Sequence, residues 1–154
     1  MKSSISNPTW RTILAALFAL FLAGCASVPM GSKEADNQAK TFAPPSSGNA
    51  ALYVFRNSFL GQALTKSLYI DAKLIGTSAN KVYFYKELQA GKHTISTQSE
   101  FSDNALEVTL EAGKLYFVRQ YIRMGVFVGG ANLELVSEEE GKKEVLQCSL
   151  AASQ

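Results

Sequence analysis

The chain has 154 residues and carries 15 lysines and arginines against 13 aspartates and glutamates. Two of the basic residues, Lys2 and Arg11, lie within the first 24 positions, so the remainder carries 13 charges of each sign and is neutral overall. A neutral chain without clustered basic residues has no electrostatic basis for binding nucleic acid, and the residues after position 24 fit one domain with a connecting segment.

The first 24 residues are predicted to form an export signal. A positively charged start is followed by an uninterrupted apolar run over residues 13–22, and two small residues then precede Cys25. This order of charge, apolar core and small residues is typical of a segment that is cleaved during export. The apolar run is too short to span a membrane as a helix, which needs about 20 apolar residues.

The four residues Leu22 to Cys25, Leu-Ala-Gly-Cys, resemble the lipobox of bacterial lipoprotein precursors. The resemblance implies that Cys25 becomes the first mature residue and carries acyl chains that anchor it, each buried CH₂ contributing about 0.8 kcal/mol. In such lipoproteins an aspartate after the cysteine favours the inner membrane. Ala26 stands there instead, which implies an outer-membrane lipoprotein facing the periplasm. The alternatives are an ordinary signal peptide with a chance cysteine and an uncleaved anchor.

Residues 25–49 are predicted to form the acylated cysteine and a flexible tether. Small, polar and proline residues dominate this segment, and such a composition cannot bury enough apolar surface to offset the entropy of ordering. As a flexible coil it would span roughly 25–30 Å, which would keep the domain near the membrane rather than in it. Pro44 and Pro45, followed by Ser-Ser-Gly-Asn, mark the start of a domain over residues 50–150.

This domain is predicted to be a small all-β sandwich of seven or eight short antiparallel strands. Residues 67–71 and 73–77 are a predicted hairpin with its turn near Asp71-Ala72, and Ala112-Gly113 is a second predicted two-residue turn. The other predicted strands cover residues 51–56, 81–86, 92–98, 105–111, 114–124 and 131–136. In the cleanest of them, period-two alternation places Leu106, Val108 and Leu110 on the buried face.

The end of the chain is predicted to form a short helix. Ser137 to Glu140 match a capping box, with acidic residues in the first turn and lysines after it. The helix would cover residues 138–148, although Gly141 weakens the prediction. A final strand over residues 143–149 is the alternative.

Five motifs carry a family resemblance. They are Ala51–Arg56, Leu68–Gly76, Tyr83–Leu88, Ala90–Ile95 and Glu111–Arg119. Their order over residues 50–150 resembles a bacterial lipoprotein family known as domain of unknown function 2846, with Ala72 where the family often has glycine and Phe117 as the second aromatic of the last motif. The motifs are also similar to short β-modules of surface proteins with Pro-Glu-Gly-Ala motifs. Both resemblances imply a β-fold and an envelope location, and neither implies an activity.

No residue pattern in the sequence indicates catalysis. His93 is the only histidine and has no partners at metal-ligand spacing. The sequence also lacks a Gly-x-Ser-x-Gly elbow and a phosphate-binding glycine loop. We therefore expect a protein that is not an enzyme and that needs no metal or cofactor. Once Cys25 is acylated, Cys148 has no partner in the chain, so it is either buried or open to intermolecular pairing.

Three arginines on predicted strands are candidate ligand contacts. Arg56, Arg119 and Arg123 occur among tyrosines that include Tyr116 and Tyr121. Together they are expected to contact a small anionic ligand or a glycan. The structural alternative is that the arginines stack on tyrosines and pair with glutamates.

A glycine-flanked apolar stretch is the candidate partner contact. Met124, Val126, Phe127 and Val128 occur where a hairpin should turn, and turns favour polar residues. If exposed, this stretch would mark a partner or membrane contact. The alternative is that the flanking strands run longer and bury the two valines.

These features favour a lipid-anchored, non-enzymatic lipoprotein of the bacterial envelope with an interaction or accessory role. Its expected partners are the membrane, through the anchor, and an envelope protein. The alternative is a periplasmic binding module for a small anionic ligand or glycan.

Overall fold

In a computed structural model, which describes residues 27–99, 103–124 and 129–154, two β-sheets pack face to face. The strands in these residues are β1 (Asn49–Arg56), β2 (Lys66–Ile70), β3 (Lys73–Ser78), β4 (Val82–Gln89), β5 (Gly91–Gln98), β6 (Asp103–Leu110), β7 (Leu115–Arg123), β8 (Gly130–Val136) and β9 (Ser149–Leu150). Two short helices accompany them, α1 (Lys33–Ala39) before β1 and α2 (Glu138–Val145) between β8 and β9. No helix in the described part of the chain is long and apolar enough to cross a membrane.

The first sheet has the strand order β8-β7-β1-β4-β9, and the second has the order β3-β2-β5-β6. The predicted all-β sandwich with a C-terminal helix is therefore confirmed. The expectation that all strands pair antiparallel is wrong for two pairs, because β1 lies parallel to β7 and β4 lies parallel to β9. Parallel neighbours need a long connection, and the chain between β1 and β7 supplies one by passing through the second sheet.

One of the two predicted hairpin turns is present. Asp71 and Ala72 both have positive φ, 50° and 62°, as a two-residue turn between β2 and β3 requires. The prediction of a hairpin at Ala112-Gly113 is wrong, since β6 and β7 belong to different sheets. Gly113, with φ 81°, instead donates its N–H to the Asn49 carbonyl at 2.8 Å, where the chain crosses between sheets.

Alternate residues of the strands fill the space between the two sheets. Val82 and Phe84 of β4 face this core, while Tyr83 and Tyr85 face the opposite side, as the alternation predicted. From the second sheet, the buried side chains include Leu68, Ile70, Ile95, Val108 and Leu110. The predicted inward positions of β6 are confirmed, with Leu106 only partly buried.

The outer face of the first sheet is aromatic and is covered by the helices. Tyr53 of β1 stacks on Phe117 of β7 with 4.9 Å between ring centroids, and Tyr83 and Tyr85 pack beside it. Phe42, which follows α1, contacts both stacked rings. This face therefore forms a second apolar cluster, separate from the core between the sheets.

The prediction that residues 25–49 form a flexible tether is wrong for the described part of that segment. Ser32 caps α1, and the helix is held by Asp36, whose carboxylate accepts from the Leu150 N–H at 2.9 Å. Lys40 donates to the Cys148 carbonyl at 2.7 Å. The tyrosine hydroxyl of Tyr53 also donates to the segment, at the carbonyl of Ala39. The segment is polar in overall composition, but its few apolar side chains pack on the aromatic face and cover it.

The predicted C-terminal helix is confirmed as α2, although it ends at Val145 rather than 148. Ser137 accepts a hydrogen bond from the Glu140 N–H, as the capping box predicted. The alternative of a strand over residues 143–149 is wrong, and the short β9 follows the helix instead. Gly141 is buried because α2 lies directly against the ring of Phe117.

Substituting Gly141 by alanine is expected to destabilise the protein, although alanine favours helices. A Cβ atom at this position would lie 2.1 Å from Cγ of Phe117, so the helix or the ring must move. Overpacking of this kind costs about 1–3 kcal/mol, which exceeds the helix-propensity gain of about 1 kcal/mol. Urea unfolding of Gly141→Ala would measure this loss. Glu139→Ala, exposed on the same helix, is the control, and equal stability of the two variants would contradict the packing.

Candidate functional site

One end of the sandwich, which we call the tip, displays an apolar surface. The ends of β1 and β7 and the starts of β4 and β8 meet there, because Arg56 pairs with Val82 and Arg123 pairs with Gly130. Among the described residues, four large apolar side chains are exposed at the tip: Phe59, Leu60, Leu64 and Met124. Phe59 is 91% exposed and Met124 is 82% exposed, so neither side chain contributes to the core.

The structure bears on part of the predicted partner contact. Met124 is exposed just after β7 ends, and its role as a partner contact stays a prediction. Val126, Phe127 and Val128 lie outside the described residues. The sequence analysis missed Phe59, Leu60 and Leu64, although a Phe-Leu pair in a glycine-containing loop was a usable signal.

Arg56 holds the loop that carries Phe59. Its side chain is fully buried, and its Nη2 donates to the carbonyls of Gly61 and Leu64, each at 2.6 Å. Burial lowers the pKa of this guanidinium. Its Nε and Nη1 have no hydrogen-bond partner among the described residues. Arg56 is therefore a structural residue that shapes the tip and is not available to a ligand from solution.

A buried polar cluster lies on the same inward face of the sandwich. Gln120 of β7 donates to the hydroxyl of Thr97 at 2.5 Å and accepts from Ser78. Thr97 in turn donates to the Ser67 carbonyl at 3.0 Å. These groups satisfy one another, as buried polar groups usually do, so the cluster joins the sheets rather than binding a ligand.

The five predicted ligand contacts do not form one site. Arg119 pairs with Glu134 at 2.7 Å and with Glu140, and its guanidinium lies over the ring of Phe55. Burial lowers the pKa of Arg119, but the two glutamates outweigh it and leave the pKa above the usual value. This arrangement matches the structural alternative, in which an arginine pairs with glutamates and packs on an aromatic ring.

The remaining candidates are divided between the two faces of β7. Tyr121 and Arg123 share the face of Arg119, and Arg123 is exposed near the tip. Tyr116 lies on the opposite face, near the other end of the strand, where its hydroxyl accepts from the Glu111 N–H at 3.0 Å. Arg56 faces the core between the sheets, so it cannot act with Arg119 on a common ligand.

His93 lies at the base, which is the end of the sandwich opposite to the tip. Its Nδ1 is 2.6 Å from the carboxylate of Asp71, and its Nε2 is 2.9 Å from the Gln89 carbonyl. Burial lowers the pKa of His93, but these two acceptors outweigh it and raise the pKa above its usual value. The ring therefore ties the β2–β3 turn to the end of β4, which is a structural task.

The described residues contain no group of three or more His, Cys, Asp and Glu side chains placed to hold a metal ion. Cys148 is buried, and its Sγ lies 3.8 Å from the Arg56 carbonyl. Burial raises the pKa of this thiol to about 12, which suppresses the reactive thiolate. Of the two alternatives for Cys148, the structure favours the buried one.

A buried arginine and an apolar tip distinguish this two-sheet sandwich. The chain belongs to the family described as protein of unknown function DUF2846, whose sequence pattern matches residues 46–131. That match runs from just before β1 into β8 and confirms the resemblance to domain of unknown function 2846.

A relative from Haemophilus influenzae strain ATCC 51907 / DSM 11121 / KW20 / Rd extends this similarity. It is 58% identical over 135 residues, which are 88% of this chain and 80% of the relative. It is described only as an uncharacterized protein, so it adds no activity. No solved structure matches the chain.

Replacing Arg56 by methionine is expected to loosen the tip locally. Methionine keeps much of the apolar stem but cannot donate to the Gly61 and Leu64 carbonyls. Hydrogen bonds from a charged group contribute about 1.5–3 kcal/mol, so amide exchange at Leu64 should accelerate at least about 10-fold. Hydrogen-exchange mass spectrometry would measure it, with the exposed Arg123→Met as control. Unchanged exchange in Arg56→Met would show that the loop does not depend on Arg56.

The His93–Asp71 pair is expected to make stability depend on pH near neutrality. Because folding raises the pKa of His93, its contribution is complete below the unfolded-state pKa of about 6.5 and is lost as pH rises through the folded-state pKa. Asp71 has a lowered pKa, first through the Thr94 N–H and then through His93, so its contribution is lost only in acid. From about pH 6 to pH 8, the melting temperature should fall roughly 1–3 °C more in wild type than in His93→Gln. Parallel curves for the two proteins would contradict this.

Proposed function

We propose that the chain is a lipoprotein anchored through Cys25 in the bacterial envelope, where its apolar tip holds a protein partner and no reaction is catalysed. The observation that carries the proposal is Phe59, a large apolar side chain that is almost completely exposed on a loop fixed by a buried arginine. Ala26 favours the outer membrane and the periplasmic side.

The anchor is supported by the order of features at the start of the sequence. A charged start, a short apolar run and Leu-Ala-Gly precede Cys25. Acyl chains on Cys25 would supply a stable hold on the membrane, because two or more chains are sufficient for it. The domain itself therefore does not need a membrane-spanning element.

The tip has the properties of a prepared contact surface. Scattered exposed apolar residues are ordinary, whereas several at one end of a domain indicate an interaction site. Since Arg56 already fixes the loop, binding would cost little further conformational entropy. Stable interfaces bury about 800 Å² on each side, which is more than two small tips would bury against each other. The tip therefore fits an apolar groove in a partner better than it fits a second tip.

The direction of the N-terminal segment also favours a protein partner. Met30 bridges Ala151 in antiparallel orientation, and β9, which leads to Ala151, runs from the tip toward the base. The chain from Val28 to Met30 therefore runs toward the tip, so the anchor side of the segment is the base. The tip is expected to point away from the membrane that holds Cys25.

The absence of catalysis remains a proposal, and it is supported by how the reactive groups are occupied. Cys148 is buried, and His93 is held between two acceptors. The alternative function, binding of a small anionic ligand or glycan by the predicted arginines, has less support because Arg56 is buried and Arg119 is paired with two glutamates.

In-cell photo-crosslinking would test the tip as a partner contact. A photoreactive benzoylphenylalanine replaces Phe59 in the anchored protein and in its Cys25→Ser form. We expect one discrete crosslinked envelope protein from position 59 in the anchored form, and its loss in the Cys25→Ser form. Leu146, an exposed leucine that follows α2, is the matched control position. Crosslinks to no protein, or the same products from both positions, would refute the contact.

A further inference from the structure

We propose that a groove at the base of the sandwich binds the phosphate groups of anionic phospholipids and thereby fixes how the anchored domain stands on its membrane. The proposal rests on the proposed acylation of Cys25. The groove, which we call the base groove, has a volume of about 310 Å³. It is lined by Ile70, Lys73, Ile75, Lys86, Leu88 and Gln154.

The base groove presents positive charge. Lys73 is exposed and Lys86 is half-buried, and neither forms an ion pair with another described residue. One acidic side chain, Asp71, also borders the groove. Its carboxylate is already occupied by the Thr94 N–H at 2.9 Å and by His93. The two lysines are therefore free to hold an anion, and a phosphate is the anion that a membrane surface supplies.

Apolar side chains lie beside these charges, as they would in a membrane-facing surface. Lys86 pairs in register with Leu52, whose side chain is in the core, so the lysine stem covers apolar surface while its ammonium group can reach the groove. Leu74 follows Lys73 in β3 and is exposed on the opposite, outer face of that sheet, close to the base. A bilayer interface accepts this combination of basic and apolar groups.

The chain that leads back to the anchor runs toward the base. Residues 29–31 pair antiparallel with residues 150–152 through two backbone hydrogen bonds of 2.9 Å. Because this pairing is antiparallel to β9, which runs from the tip toward the base, the chain before Met30 leads back toward the base. Gln154, which lines the groove, lies at that end and donates its N–H to the Ile75 carbonyl at 2.8 Å. Cys25 precedes Met30 by five residues, so an extended chain lets it lie up to about 17 Å from Met30. The acyl chains would therefore enter the bilayer on the side of the base.

The two contacts would have different tasks. The acyl chains supply the affinity, whereas each lysine near an anionic surface adds only a modest attraction that weakens beyond the Debye length. Two lysines at the base are nevertheless sufficient to favour one orientation, because an anchor on the same side would keep them close to the headgroups. With the base on the bilayer, the tip would face the periplasm and its partner.

Tryptophan quenching in reconstituted membranes tests the orientation. The chain has one tryptophan, Trp10, within the first 24 residues, so Leu74→Trp gives the mature protein a single fluorophore close to the β2–β3 turn at the base. The acylated protein is placed in vesicles of phosphatidylcholine, alone or mixed with phosphatidylglycerol, that contain brominated lipid. We expect stronger quenching with phosphatidylglycerol and a reduction to the phosphatidylcholine level in the K73E/K86E background.

The control background is K81E/K143E, which makes the same change in charge at the tip and on α2 and should leave the quenching unchanged. Equal quenching in both vesicles, or no effect of K73E/K86E, would overturn the headgroup contact. Quenching of Phe59→Trp in place of Leu74→Trp would overturn the orientation and make the tip the membrane contact. Leu88→Trp, within the groove, replaces Leu74→Trp if the latter does not fold by circular dichroism.

The same preparation separates failure of the groove from failure of the proposed function. Mass spectrometry of the N-terminal peptide shows whether Cys25 carries acyl chains. An acylated protein whose groove is not quenched would refute the base groove and leave the anchor intact. An unmodified Cys25 would refute the anchor and, with it, the basis of the groove.

Discussion

The fold depends on the burial of β1 on both of its faces. Leu52 and Val54 face the second sheet, whereas Tyr53 and Phe55 face the other side and need a separate cover. A sheet in a sandwich has only one partner sheet, so the second face must be covered by other parts of the chain. The segment before β1 and the segment after β8 provide that cover as two short helices. The aromatic face thus explains why polar flanking segments are ordered.

Alternation along the chain was sufficient to locate β1 to β8, whereas the two-residue β9 is too short to show it. The buried face of each strand follows from a period of two, and the positive-φ turn at Asp71-Ala72 follows from local geometry. Alternation does not report which strand lies alongside, because the same pattern suits a hairpin and a crossing between sheets. The error at Ala112-Gly113 and the unexpected parallel pairs have this common origin. Strand pairing is a property of the whole sandwich, which no short window of sequence contains.

The candidate site was predictable only in part, for a related reason. The sequence around an arginine in a strand does not show whether its side chain faces solvent, a glutamate or the core. Arg56 and Arg119 differ in their surroundings, and the neighbours that decide their roles are supplied by distant loops and by α2. Met124 was recognisable because an apolar residue in a turn violates a local preference. Phe59 is an apolar residue in a loop and violates the same preference, so it could have been recognised in the same way.

The pairing of residues 29–31 with residues 150–152 bears on when the protein can fold. Lys40 and Cys148, whose hydrogen bond joins the same two ends of the domain, are 108 positions apart in the chain. The edge of the first sheet can therefore close only after both ends of the domain are available, and contacts of such long range form late because loop closure precedes them. A chain whose last residues are not yet available lacks one side of this pairing and stays open at that edge. The pairing would therefore be among the last steps of folding.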